Sequence, residues 1–171
     1  MRKGRRQATE AEARALASAI RLRILRLCLD RALTNKEIAQ RLAANPATTL
    51  HHVRKLVATG FLAAQTERRG SRGAREVPYL ATGKSWTLDV GESGVGGGGA
   101  AILDAFLAEV RLVNLDRSGL SRLGLRLTEP EVEELRERLG TLLNEYAARP
   151  PSPDGRPYSV FLAIYEDVTR D

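Results

Sequence analysis

Leu33-Thr34-Asn35-Lys36-Glu37-Ile38-Ala39-Gln40-Arg41-Leu42-Ala43-Ala44-Asn45-Pro46-Ala47-Thr48-Thr49-Leu50-His51-His52-Val53-Arg54-Lys55-Leu56-Val57-Ala58-Thr59-Gly60 is the stretch that decides the fold. Thr34, with Glu37 three positions later, forms a capping box and opens a short helix that turns Ile38, Ala39 and Leu42 inward. Ala43-Ala44-Asn45-Pro46 breaks that helix. Asn45 caps the next one, and Pro46 takes its first position, where the missing N–H costs nothing. This second helix runs from Ala47 to about Ala58 and stops at Thr59-Gly60. At 3.6 residues per turn, Thr49, Val53, Leu56 and Val57 gather on one face. Ala47, His51, Arg54 and Ala58 point away from it, flanked by Thr48 and Lys55, with Leu50 at the edge.

Working outward, residues 8–17 are rich in Ala and Glu and read as a first helix. Ser18 then offers an N-cap for Ile20–Leu29. Ile20, Ile24, Leu27 and Cys28 share one side of that helix, and Leu22, Leu25 and Leu29 cover much of the other. It is expected to be a core helix touched from two sides, with Cys28 as packing. Two short helices with a tight break, behind a buried one, make a helix-turn-helix. After Gly60 the residues favour strands, in 61–67 and 76–82, around the basic tip Arg68-Arg69-Gly70-Ser71-Arg72-Gly73-Ala74-Arg75. Pro78 suggests that the return strand lies partly at an edge. A hairpin placed there is a wing.

The outward face of helix 47–58 suits DNA. Small residues at its start let the backbone approach base edges closely, Arg54 and His51 can donate to purine acceptors, and Lys55 to a phosphate. Asn45, Ala47, Thr48 and Leu50 complete the expected contact surface, and Arg68, Arg69, Arg72 and Arg75 on the wing suit a phosphate backbone or narrow minor groove. His51-His52 is not a chelating pair, because adjacent helical positions diverge by about 100°. His52 is expected to be a hydrogen-bonded packing residue at the core edge.

Residues 17–25, 33–39 and 45–62 resemble the winged helix-turn-helix of arsenic-repressor-like (ArsR-type) bacterial transcription regulators. MarR-like and PadR-like regulators share this order of elements. Residues 79–88, Tyr79-Leu80-Ala81-Thr82-Gly83-Lys84-Ser85-Trp86-Thr87-Leu88, resemble the end of the wing in an actinobacterial-type branch. The resemblance covers about half of the chain, residues 10–88, and implies a homodimer that reads an inverted repeat. The family's thiolate metal site, where present, lies on the helix before the recognition helix. Residues 34–43 hold no Cys or His, so metal sensing is not carried over.

Charge divides the 171 residues in the same way. Residues 1–85 carry 18 Lys and Arg against 6 Asp and Glu, whereas residues 86–171 carry 9 against 15. A basic half joined to an acidic one suggests a polyanion-binding module tied to something with another task. Between them, 89–99 is rich in glycine and reads as a linker without helix or strand. Residues 100–113 form an apolar helix whose stripe Ile102, Phe106, Val110 and Val113, widened by Leu103, Leu107 and Leu112, is the expected dimer interface. The alternative is a helix folded back on its own domain. Alternation in 121–127 predicts a strand, Thr128 with Glu131 caps a helix to about Ala148, and Tyr158–Tyr165 predicts a final strand. On that helix Val132, Leu135, Leu139, Leu142, Leu143 and Tyr146 are expected to be buried.

The expectation is therefore an α+β chain: a winged helix-turn-helix domain (1–88), a linker (89–99), and a dimerisation helix with a strand–helix–strand module (100–171). That module either senses an unidentified small-molecule or protein effector or braces the dimer. The partners are double-stranded DNA and a second copy of the chain. No run reaches the roughly 20 apolar residues of a membrane span, and no apolar segment follows the basic Met1–Arg6 as a signal peptide would need. A cytoplasmic repressor without metal or cofactor is expected. Enzymatic chemistry is not: no histidine follows residue 52, no cysteine follows 28, and the carboxylates at 129–137 crowd a helix start, where the helix dipole explains them. The rival expectation is a winged-helix protein-interaction module whose basic surface binds an acidic protein.

Overall fold

Helix α2 (Ala19–Leu27) sits at the centre of the basic half, in a computed structural model that describes residues 5–70, 73–89, 98–115 and 119–170. Ile24, Leu25 and Cys28 are fully or almost fully buried there. Around them pack α1 (Glu10–Leu16), α3 (Asn35–Leu42) and α4 (Pro46–Ala58), which contribute Ala15, Leu16, Ile38, Val53 and Leu56 to one core. The helix ends before Leu29, which is exposed. Burial pushes the Cys28 thiol up to about 11, so it is a packing group and a poor thiolate donor at neutral pH.

The short strand β2 (Leu33–Thr34) leads into α3, and β3 (Leu62–Ala64) follows α4. Both pair antiparallel with β6 (Pro78–Ala81), giving the order β2-β6-β3. The return strand is thus central, contrary to the edge position that Pro78 suggested. Pro78 is tolerated because it is the strand's first residue, where its missing N–H interrupts no ladder, while its carbonyl accepts from Gln65 N–H at 2.8 Å. Beyond this sheet the hairpin narrows into β4 (Arg68–Arg69) and β5 (Arg75–Glu76). The tip closes through Gly70 N–H to Ala74 O, with Gly73 at positive φ. These elements form a winged helix-turn-helix of mixed helix and strand.

One pairing here carries no prediction from sequence, and the expected apolar helix 100–113 takes a place of its own. Strand β1 (Arg6–Gln7) pairs in parallel with β7 (Leu88–Asp89), tying the N-terminal segment to the end of the wing. Helix α5 (Gly98–Val110) packs its small face, Ala101 and Ala105, against α1 and α2, with Arg26 Nε 3.0 Å from Glu109 Oε2. It starts inside the expected linker and stops three residues short of Val113. Asp89 likewise belongs to β7, so 90–97 is what lies between, outside the described residues. The chain divides into two units at Leu112/Val113, so α5 belongs to the first unit and not to the C-terminal module.

The second unit holds α6 (Glu129–Ala147), started by Glu131, whose carboxylate accepts from the Thr128 N–H at 2.7 Å. The expected strands at 121–127 and 158–165 are not formed among the described residues. An isolated apolar segment has no ladder to join until another strand satisfies its N–H and C=O groups. Of the side chains expected to be buried on α6, Val132, Leu135, Leu139 and Leu143 are half-buried, and Leu142 and Tyr146 are exposed.

Candidate nucleic-acid interface

Helix α4 is placed from both ends. Asn45 accepts from the Ala47 N–H at 2.8 Å, and the Thr49 hydroxyl donates to Asn45 O at 2.9 Å. At the other end the Lys84 ammonium donates to Thr59 O at 2.6 Å. Thr49, Val53 and Leu56 are fully buried beneath the helix, and this sets its rotation. Asn45, Ala47, Thr48, His51, Arg54 and Lys55 consequently stand exposed together on its outer side, with Leu50 half-buried at the margin. The face expected from helical periodicity is the face observed.

The α3–α4 turn that presents this helix depends on a left-handed residue, Ala43 at φ 49°. Asn35 Nδ2 then donates to Pro46 O at 2.9 Å, fastening the first helix of the pair to the start of the second.

The wing arginines differ from one another. Arg68 Nη2 lies 2.8 Å from Glu37 Oε2, the same carboxylate oxygen that accepts from the Thr34 N–H at 2.7 Å. Hydrogen bonds from Thr34, with Arg68 beside them, hold the Glu37 carboxyl below the usual carboxylate range. Arg68 is thereby a strut between the wing and the start of α3. Arg75 faces Glu67 at 3.7 Å but is largely exposed, and Arg69 is exposed and in no ion pair among the described residues. Arg72 lies outside the described residues.

His52 departs from expectation. Its ring is half-buried, edge-on to His51 with centroids 5.7 Å apart, yet Nδ1 has no hydrogen-bond partner among the described residues. Burial, then the charges of Arg21, His51 and Lys55, hold its imidazole below the ordinary value of 6.5. The unfolded chain therefore binds this proton more readily. This contribution to stability is complete above about pH 6.5 and declines as the pH falls toward the folded value. Thermal melts across pH 7.5 to 5 should show that decline, and His52→Gln should remove most of it; an unchanged slope would acquit His52.

Sequence reasoning missed a second cluster, centred on Glu12. Its buried carboxylate accepts from Arg6 Nη2 at 2.8 Å and from the Thr9 N–H at 2.8 Å, and lies 2.7 Å from Lys84 Nζ. Arg6, first, and then Lys84 and Thr9 hold it far below the carboxylate range. Lys84 is the same group that caps α4, so one carboxylate connects the N-terminal segment, the end of the wing and α4. The signal was present: Thr9-Glu10-Ala11-Glu12 is a capping box like Thr34–Glu37.

Helix α5 exposes Ile102, Leu103 and Leu107, with Phe106 and Val110 half-buried. Val113, beyond the helix end, is exposed. Among the described residues no three His, Cys, Asp or Glu side chains come together as a metal site, and no helix is long and apolar enough to cross a membrane.

Residues 18–62 match the family model described as winged helix-turn-helix DNA-binding. Among solved structures, reduced HlyU from Vibrio cholerae is 23% identical, over 57% of this chain and 84% of its own, with a TM-score of 0.36. The homodimeric winged helix-turn-helix domain of Mb0332 from Mycobacterium bovis, described as a possible ArsR-family regulator, is 23% identical over 58% and 76%, with a TM-score of 0.34. Lactococcus lactis ZitR in complex with DNA is 20% identical over 75% and 74%, with a TM-score of 0.35. At these values the likenesses are too distant to carry a function across. No curated protein matches the sequence.

Proposed function

We propose that the chain is an ArsR-type transcriptional repressor that binds an inverted repeat as a homodimer, with α4 in the major groove and the wing on the backbone or minor groove. The observation that carries this is the outer face of α4, where Ala47, Thr48, His51, Arg54 and Lys55 are all exposed above a fully buried underside. Arg54 and His51 read bases, Lys55 takes a phosphate, and Asn45, Ala47, Thr48 and Leu50 shape the approach. Arg69, Arg72 and Arg75 meet phosphates, while Arg68 aims the wing through Glu37 and reaches DNA only by giving up that pair. The resemblance of 79–88 to an actinobacterial-type branch supports that finer placement. Residues 1–88 bind DNA in this account, and the chain works in the cytoplasm without metal, cofactor or catalysis.

Salt dependence tests the phosphate contacts. Duplex binding should weaken steeply with salt, and Arg69→Ala should lower the slope of log K against log salt by about one while leaving sequence preference intact. Retention only on acidic proteins, with no duplex binding, would favour the protein-interaction alternative.

A single recognition helix covers a few base pairs, so a repeat must be read by two copies with half-sites about 34–36 Å apart. The outward face of α5 is the proposed two-fold contact, made by Ile102 with Leu103 and Leu107, the half-buried Phe106 and Val110 at its edge, and Val113 beyond. Leu103→Asp with Leu107→Asp places charge there and should weaken the dimer at least about 100-fold while the first unit stays folded. Sedimentation equilibrium gives the answer, and an unweakened dimer would move the contact elsewhere.

A further inference from the structure

The outer part of the wing is slight. Strands β4 and β5 share two residue pairs, Arg68 with Glu76 and Arg69 with Arg75, and residues 65–67 before them are in no strand. Among the described residues, 67–76 is joined to the helices by one ion pair, Arg68 Nη2 to Glu37 Oε2 at 2.8 Å. The guanidinium bridges two parts of the fold: its Nε faces Glu76 Oε2 at 3.9 Å within the wing, while Nη2 reaches Glu37 on α3. Gly70 leaves room for Glu76, because a Cβ there would collide with its side chain. An exposed pair ordinarily gains little, since two long side chains must be immobilised. Here Glu37 is already held, because the Thr34 N–H and hydroxyl both donate to the same oxygen, at 2.7 and 3.0 Å. The hold extends to α4, where Pro46 O accepts from Asn35 Nδ2 at 2.9 Å.

We infer that Glu37 is a positioning residue that sets how well the protein discriminates its operator from other DNA. By pinning Arg68 it fixes the wing to the α3–α4 pair, so wing and α4 meet a duplex in one register. On the operator, the base contacts of α4 and the phosphate contacts of Arg69 and Arg75 are then made together. On any other duplex, a pinned wing cannot seek phosphates independently of α4. Without the pin, the short hairpin follows the backbone in any register, and Arg68 becomes one more phosphate ligand. Operator binding then also bears the cost of ordering the wing. Random DNA gains and the operator gains less, so the ratio between them falls. The inference deepens the proposed function and rests on it for the placement of α4 and the wing on DNA.

The test uses the full chain with two probes, a duplex selected from a random library and a shuffled duplex of equal length, each titrated across a salt series. Glu37→Gln keeps the capping box, which accepts glutamine, and removes the charge that holds Arg68. Its selected-to-shuffled affinity ratio should fall about 2- to 5-fold, the range of an exposed pair that is well held. Its salt slope on the shuffled duplex should steepen by about 0.9, the mark of one added phosphate contact. Arg68→Ala leaves the capping box untouched and should lower the ratio without steepening the slope. Combining the two substitutions should give the values of Arg68→Ala alone. An unchanged ratio in either single variant would overturn the inference. So would a further change when Glu37→Gln is added to Arg68→Ala, since the carboxylate would then repel DNA without acting through Arg68. If the glutamine variant melts below wild type, Arg68→Ala decides the matter on the same ratio. A wild type that binds no duplex removes the proposed function and this inference together, whereas a wild type that binds with a ratio indifferent to Glu37 removes this inference alone.

Discussion

Glu12→Ala should lower the stability of the first unit by about 2–3 kcal/mol, which for a unit of this size is a fall of roughly 10–15 °C in melting temperature. Removing the carboxylate strands three donors at once: Arg6, Lys84 and the Thr9 N–H. Breaking a fully buried pair costs more than this, but the Arg6 side chain is 55% exposed and recovers solvent when its partner is lost. Lys84 loses the anion that holds it against Thr59 O, so α4 loosens at its end and operator affinity falls as well. Thermal melts with duplex titrations measure both. A variant as stable as wild type would mean that the cluster is solvated in solution.

Arg54→Ala should weaken operator binding by roughly 1–3 kcal/mol, about 5- to 150-fold, and relax discrimination at one or two base positions. The guanidinium is exposed on the outer face of α4 and in no ion pair among the described residues, so its removal leaves the core intact. The loss then falls on bound DNA and not on stability. Competition against a panel of singly substituted operators measures it, and an unchanged preference would remove Arg54 from the base-reading face.

What was legible in the sequence is what local chemistry determines. The box at Thr34–Glu37, the cap at Asn45 with Pro46 behind it, and the spacing of Thr49, Val53 and Leu56 each depend on neighbours within one or two turns. They placed α3, α4 and the exposed face correctly. Features made by distant residues were not legible. Arg21 looks like a surface residue of α2, yet it is buried because its guanidinium donates to the carbonyls of Arg14 and Ala15 at the end of α1. Nothing in Arg6-Gln7 announces a strand, because its partner is some eighty residues away. Arg68 scanned as one more cation until the fold set Glu37 beside it. The segments at 121–127 and 158–165 show the converse. Their alternation is genuine, but a strand is a property of a pair.

The central claim, a dimer that reads an inverted repeat through α4, is tested most directly by selecting bound sequences from a random duplex library with the full chain at near-physiological salt. The account predicts an enriched inverted repeat whose half-sites are centred about 34–36 Å apart, and, with Arg54→Ala, the same repeat with preference lost at one or two base positions of each half-site. Recovery of no preferred sequence from the wild type, or of a single asymmetric half-site bound by a monomer, would contradict it.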